Sequence, residues 1–256
     1  MTNKWLKVAL MVTAIATGTS INIDAETVLY VPQDDRPVSL QYTVDTAREA
    51  GMTVLTPPQH LISGKTYQGQ ADQIMAWVEQ NAGRADVMVL STDTLIYGGL
   101  VDSRKHNIPL STLQNRLKRI EGLKARNKNV RIYGFGTVMR SPRASGGGTE
   151  PAYYAEYGPT IFQIAALQDK LDSGSLTQEE TQKMMSLQAS VPVEYLQDWF
   201  DRRQKNMKIN KELIDETRSG VFDYFALGHD DTSQLSQSAL EGRYLNKYSK
   251  DISVEK

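Results

Sequence analysis

The chain has 256 residues, with 29 Lys and Arg against 30 Asp and Glu, and no cysteine. The near-neutral balance argues against a nonspecific nucleic-acid binder, which needs a basic surplus. Absent thiols remove cysteine nucleophiles, cysteine-ligated zinc and iron–sulfur clusters, while a chain this long can bury a core without disulfides.

Lys4 and Lys7 precede an apolar run from Val8 to Thr17, and Ala25 offers a small residue for cleavage. This is the pattern of a secretory signal peptide over 1–25. The run is shorter than the roughly 20 apolar residues that span a bilayer. The expected product is a secreted or periplasmic protein, with no stable membrane insertion after cleavage and a single domain over 26–256. An uncleaved N-terminal anchor is the alternative.

Five short apolar segments predict buried strands: Thr27–Pro32, Met52–Thr56, Asp86–Ser91, Val130–Thr137 and Phe222–Gly228. Leu40–Ala50, Ala71–Asn81 and Ser111–Arg126 between them read as helices, the last with a capping box from Ser111 to Gln114. Strands alternating with helices predict an α/β fold with a mostly parallel sheet covered by helices. The sheet is either an open Rossmann-like sheet or the front part of a (β/α) barrel; a closed barrel needs three more strands than this chain supplies. A helical insertion over about 151–219 separates the last two strands. It comprises Tyr153–Leu171, Glu179–Ala189 behind a capping box at Thr177, and Val193–Arg218. Leu235–Tyr248 predicts a final helix. The glycine-rich stretch Arg143–Glu150 reads as a flexible loop, either lid or solvated connector.

Parallel α/β sheets bind ligands at the carboxyl ends of their strands. Four such ends here carry charge: Asp34, Asp35 and Arg36; Asp93, Tyr97 and Arg104; Arg140; and His229, Asp230 and Asp231. Adjacent carboxylates suit acid–base work, because burial and an ionised neighbour raise the pKa of one of them. Guanidinium forks orient hydroxyl-rich or anionic ligands. This set predicts a hydrolase, most plausibly for a carbohydrate. Asp230 and Asp231 are the acid–base pair, with Asp35 and Asp93 as further catalytic carboxylates. Asp34, Arg36, Tyr97, Arg104, Arg140 and His229 hold substrate. The expected partner is a small-molecule or carbohydrate ligand, with no nucleic acid and no cofactor. A noncatalytic sugar- or anion-binding protein and a metal-dependent hydrolase with oxygen ligands stay open as alternatives.

Simpler readings stand beside these. Asp35 and Arg36 read equally as a buried ion pair. Asp231 or Thr232 reads as a helix cap and Asp93 as an Asx-turn residue. Tyr97-Gly98-Gly99 reads as a tight turn, and His229 as a hydrogen-bonding support rather than a metal ligand. Arg202, Arg203 and Asn206 read as solvated positions on the long helix, or as groups that reach the site if that helix caps it. No P-loop, dinucleotide fingerprint, nucleophile elbow or zincin motif is present.

The segments VPQDDRPVSL (31–40), DTLIYGGLVDSR (93–104), GFGTVMRSP (134–142), RRQKN (202–206) and LGHDDTS (227–233) resemble the bacterial family known as domain of unknown function 4127. The resemblance supplies motifs without a reaction. The family tends to have Gln at the position of His229, and Ala-Pro-Tyr-Gly-like residues in place of Ser233 to Ser236. Its members continue past the end of this chain, which implies a truncated or split product.

Overall fold

The computed structural model describes residues 25–144, 147–231 and 233–254. The leader up to residue 24 and the cap reading of Thr232 lie outside the described residues.

Five parallel strands form one open sheet: β1 (Thr27–Val31), β2 (Thr53–Leu55), β3 (Val87–Ser91), β4 (Arg131–Val138) and β5 (Tyr224–His229), in the order β2-β1-β3-β4-β5. The sheet is not closed into a barrel, and the order β2-β1-β3 departs from the consecutive strand order of a (β/α) barrel, so the open Rossmann-like alternative holds. Register runs from Leu29 beside Met88 to Met88 beside Ile132 and Gly134 beside Phe225. Since side chains alternate along a strand, Leu29, Val31, Met88, Leu90 and Ile132 share one face and make the main core.

That face is covered by α2 (Ala71–Asn81) through Ile74, Met75 and Val78, by α5 (Leu110–Arg126) through Leu113, Leu117, Ile120 and Leu123, and by Ile209 and Leu213 of the long helix α8 (Val193–Arg218). The three- and four-residue spacing of the α5 leucines makes one apolar stripe. The opposite face carries α1 (Gln41–Glu49), whose Val44 packs on Tyr30 and Val54. The insertion comprises α6 (Tyr154–Asp172), α7 (Gln178–Ala189) and α8, and builds a second core from Tyr154, Ile161, Ile164, Val191 and Trp199. The capping box at Thr177 is formed with Glu180. The one expected at Ser111 is not: α5 starts at Leu110 behind Pro109, with no side-chain cap. Helix α9 (Gln237–Asp251) closes the chain against α8 and β5.

Two short helices, α3 (Thr92–Tyr97) and α4 (Leu100–Lys105), fill the segment expected to be a loop. Ser91 caps α3 by accepting from the Thr94 amide at 3.3 Å. Tyr97-Gly98-Gly99 is thus a helix end rather than an isolated turn, and Gly98 adopts the left-handed conformation (φ +113°) that glycine tolerates. Gly136 of β4 has a different reason: a Cβ there would stand 2.4 Å from the Thr92 hydroxyl. Its hydrogen lets α3 start directly against the neighbouring strand.

Candidate functional site

The order β2-β1-β3 reverses the direction of sheet growth between β1 and β3, and ligands of doubly wound sheets bind where that reversal occurs. Gln33 follows β1 and Asp93 opens α3 at the end of β3. Gln33 Nε2 donates to Asp93 Oδ2 at 2.9 Å, and the Thr137 hydroxyl of β4 donates to the same oxygen at 2.8 Å. The α3 position is locked by Thr94, whose hydroxyl donates to the Pro32 carbonyl at 2.7 Å. Asp93 is 2 % exposed. Burial, reinforced by the nearby charge of Asp230 and partly opposed by Gln33 and Thr137, pushes its carboxyl up to about 6. The Asx-turn reading gives way to a buried carboxyl bridging three strand ends.

Asp230, after β5, is held by the Arg104 guanidinium of α4. Arg104 is itself buried and lies 3.9 Å from Glu150. Its Nε has no hydrogen-bond partner among the described residues. Arg140, after β4, donates from Nε to Glu150 at 2.7 Å and from Nη2 to the Thr149 hydroxyl at 2.8 Å. Arg36 stands half-exposed at the rim, with Nε 2.8 Å from Asp34. Its guanidinium pKa is raised first by that bond, and also by the charges of Asp230 and Asp35. Asp93, Asp230, Arg36, Arg104 and Arg140 therefore share one electrostatic neighbourhood.

Several expected partners fall differently. Arg36 pairs with Asp34, not with Asp35, and the pair is not buried. Asp35 instead accepts from the Tyr67 hydroxyl. Asp231 does not cap α9, whose N-cap is Ser236. Its two oxygens accept from the amides of Ser141 at 2.5 Å and Ser233 at 3.2 Å, tying the β4 and β5 loops together. Tyr97 is buried, its hydroxyl has no partner among the described residues, and it stacks on His106 at 4.9 Å. Burial holds His106 down to about 4 and so neutral. His229 is exposed and lines a groove of about 590 Å³ between β5, α8 and α9, with Gly242 beneath its ring. No hydrogen bond joins it to the acids among the described residues. That groove has a mixed lining, with Ile214, Phe222, Phe225 and Leu245 beside Arg218, Asp223 and Asn246, and it carries none of the strand-end acids. Convergent ionisable groups, not cavity shape, mark the chemistry here.

The solvated reading of Arg202, Arg203 and Asn206 is overturned, since all three are buried. Arg203 stacks on Trp199 at 4.7 Å and donates to Glu241 at 2.7 Å, to the Met139 carbonyl at 2.7 Å and to the Arg140 carbonyl at 3.0 Å. Asn206 donates to the Ser103 carbonyl at 2.9 Å, and its side-chain oxygen is 2.8 Å from His106 Nε2. Since the Ile108 amide donates to His106 Nδ1, that nitrogen is an acceptor and Nε2 carries the proton toward Asn206. Arg203 thus braces the loop of Arg140, and Asn206 braces the helix of Arg104.

Sequence reasoning missed Glu150 and Thr137. Glu150 follows a glycine run that masks its burial, and an uncharged Thr gives no signal until its partner is placed. Among the described residues no three His, Asp or Glu side chains sit close enough to share a metal ion.

A family model described as "Protein of unknown function (DUF4127)" matches residues 28–256. No curated protein and no solved structure matches.

Proposed function

The chain belongs to the DUF4127 family, whose description assigns no activity, and from that premise we propose an extracytoplasmic hydrolase acting on carbohydrate at the β1–β3 switch point. The observation that carries this reading is the pairing of unlike carboxyls. Asp93 is buried and its carboxyl is pushed up to about 6, while Asp230 is paired with the Arg104 guanidinium. Environments that push two acids apart define acid and base roles. In this reaction Asp93 gives its proton to the leaving glycosidic oxygen as the C–O bond breaks. Asp230 takes a proton from the water that bonds to the anomeric carbon. Arg36 and Arg140 orient substrate hydroxyls. Asp231, expected as half of the acid–base pair, becomes a loop tie in this scheme, and its role passes to Asp93. The leader pattern at Lys4 to Ala25 supports export. No helix among the described residues is long and apolar enough to cross a membrane.

Release of reducing ends from a panel of polysaccharides tests the proposal. Wild type is expected to turn over at least one of them, and Asp93→Asn and Asp230→Asn each to lose activity while folded. Full activity in both variants removes it. The noncatalytic binding reading is favoured by one observation: Asp34, Asp230 and Glu150 are each already matched to an arginine. Saccharide binding without product across the panel supports that alternative. The metal-dependent reading, which needs a ligand set, finds none among the described residues.

A further inference from the structure

Beside the acid cluster runs an open groove of about 640 Å³, bounded by Arg143, Phe162, Ala166, Ser233, Gln234 and Leu235. We infer that it is a subsite for a carboxylate-bearing sugar unit of an oligomeric substrate; the inference rests on the carbohydrate reading above. Its walls run out of the two loops that hold the site. Ser141 and Ser233 both donate to Asp231, so the groove begins within a few residues of Arg140 and Asp230. Its volume lies inside the roughly 300–1,000 Å³ of ordinary ligand pockets.

The chemistry of the lining selects the ligand. The Arg143 guanidinium sits 5.2 Å from the Phe162 ring centroid, within cation–π reach. Among the described residues Arg143 pairs with no carboxylate. Its N–H donors match a carboxylate in fork geometry. Leu235, 40 % exposed, and Ala166 offer apolar surface for a ring face. Gln234 and Ser233 supply polar groups for hydroxyls.

Isothermal titration of the full chain carrying Asp93→Asn tests this without turnover. Probes are galacturonate and glucuronate trimers, neutral trimers of equal length, acetate and inorganic phosphate. At least one uronate trimer is expected to bind about tenfold more tightly than any neutral trimer, the worth of one charge-assisted contact. Arg143→Gln should erase that preference and Arg143→Lys keep part of it, with both variants unfolding at the wild-type temperature. Equal affinity for acidic and neutral trimers overturns the assignment. So does a preference that survives Arg143→Gln, or acetate or phosphate binding as tightly as the trimer. An Arg143-dependent preference in a protein that hydrolyses nothing sinks the catalytic reading and leaves the subsite standing.

Discussion

The end of β3 and the paired ends of β4 and β5 present the same chemical group in unlike surroundings. At β3, Asp93 is walled in by neutral donors and the charge of Asp230, and its carboxyl is pushed up to about 6. At β4 and β5, Asp231 receives two backbone amides and Asp230 a guanidinium. The difference teaches that sequence adjacency is a poor guide to an acid–base pair. Asp230 and Asp231 are neighbours in the chain, yet the pair with divergent environments is Asp93 and Asp230, joined only by the fold.

The largest expected effect strikes the β3 end. Asp93→Asn should lower turnover by about 10²–10⁴-fold, the usual worth of a positioned general acid, whereas Asp231→Asn should retain turnover within about tenfold. Next is the brace behind β4. Arg203→Met leaves Glu241 buried without its partner and should cost about 3–5 kcal/mol in chemical denaturation. The double change Arg203→Met with Glu241→Leu should recover part of that loss. A third effect concerns pH. The folded pKa of Asp93 lies above its unfolded value, so its contribution to stability is fully present below pH about 4 and is lost as pH rises through about 6. Relative to wild type, Asp93→Asn should therefore gain as much as roughly 3 kcal/mol between pH 4 and pH 7.5; a pH-independent difference contradicts the buried-acid assignment. Smallest is the loop tie, where Asp231→Asn should cost about 1 kcal/mol through one weakened amide contact.

The sheet was legible because each strand is a short apolar run bounded by turn residues, and α2 and α8 because their patterns persist over several turns. Helix α3 was not legible for the converse reason. All six of its residues are buried, so no exposed face produces a 3.6-residue rhythm, and Thr-Asp-Thr at its start resembles a turn. The charged strand ends were visible as a group, since topology alone brings them to one edge. Their individual roles were not. Whether Asp93 is solvated or sealed depends on Gln33 and Thr137 arriving from other strands. Likewise Arg202 and Arg203 look like surface charge until α4 and α9 pack over them.

The acid role of Asp93 depends on its proton. Carboxyl carbon NMR of the labelled protein, with the Asp93 resonance assigned by its loss in Asp93→Asn, measures that titration. A midpoint at about 6 is the predicted result. A midpoint at or below about 4, the ordinary value for an aspartate, contradicts it.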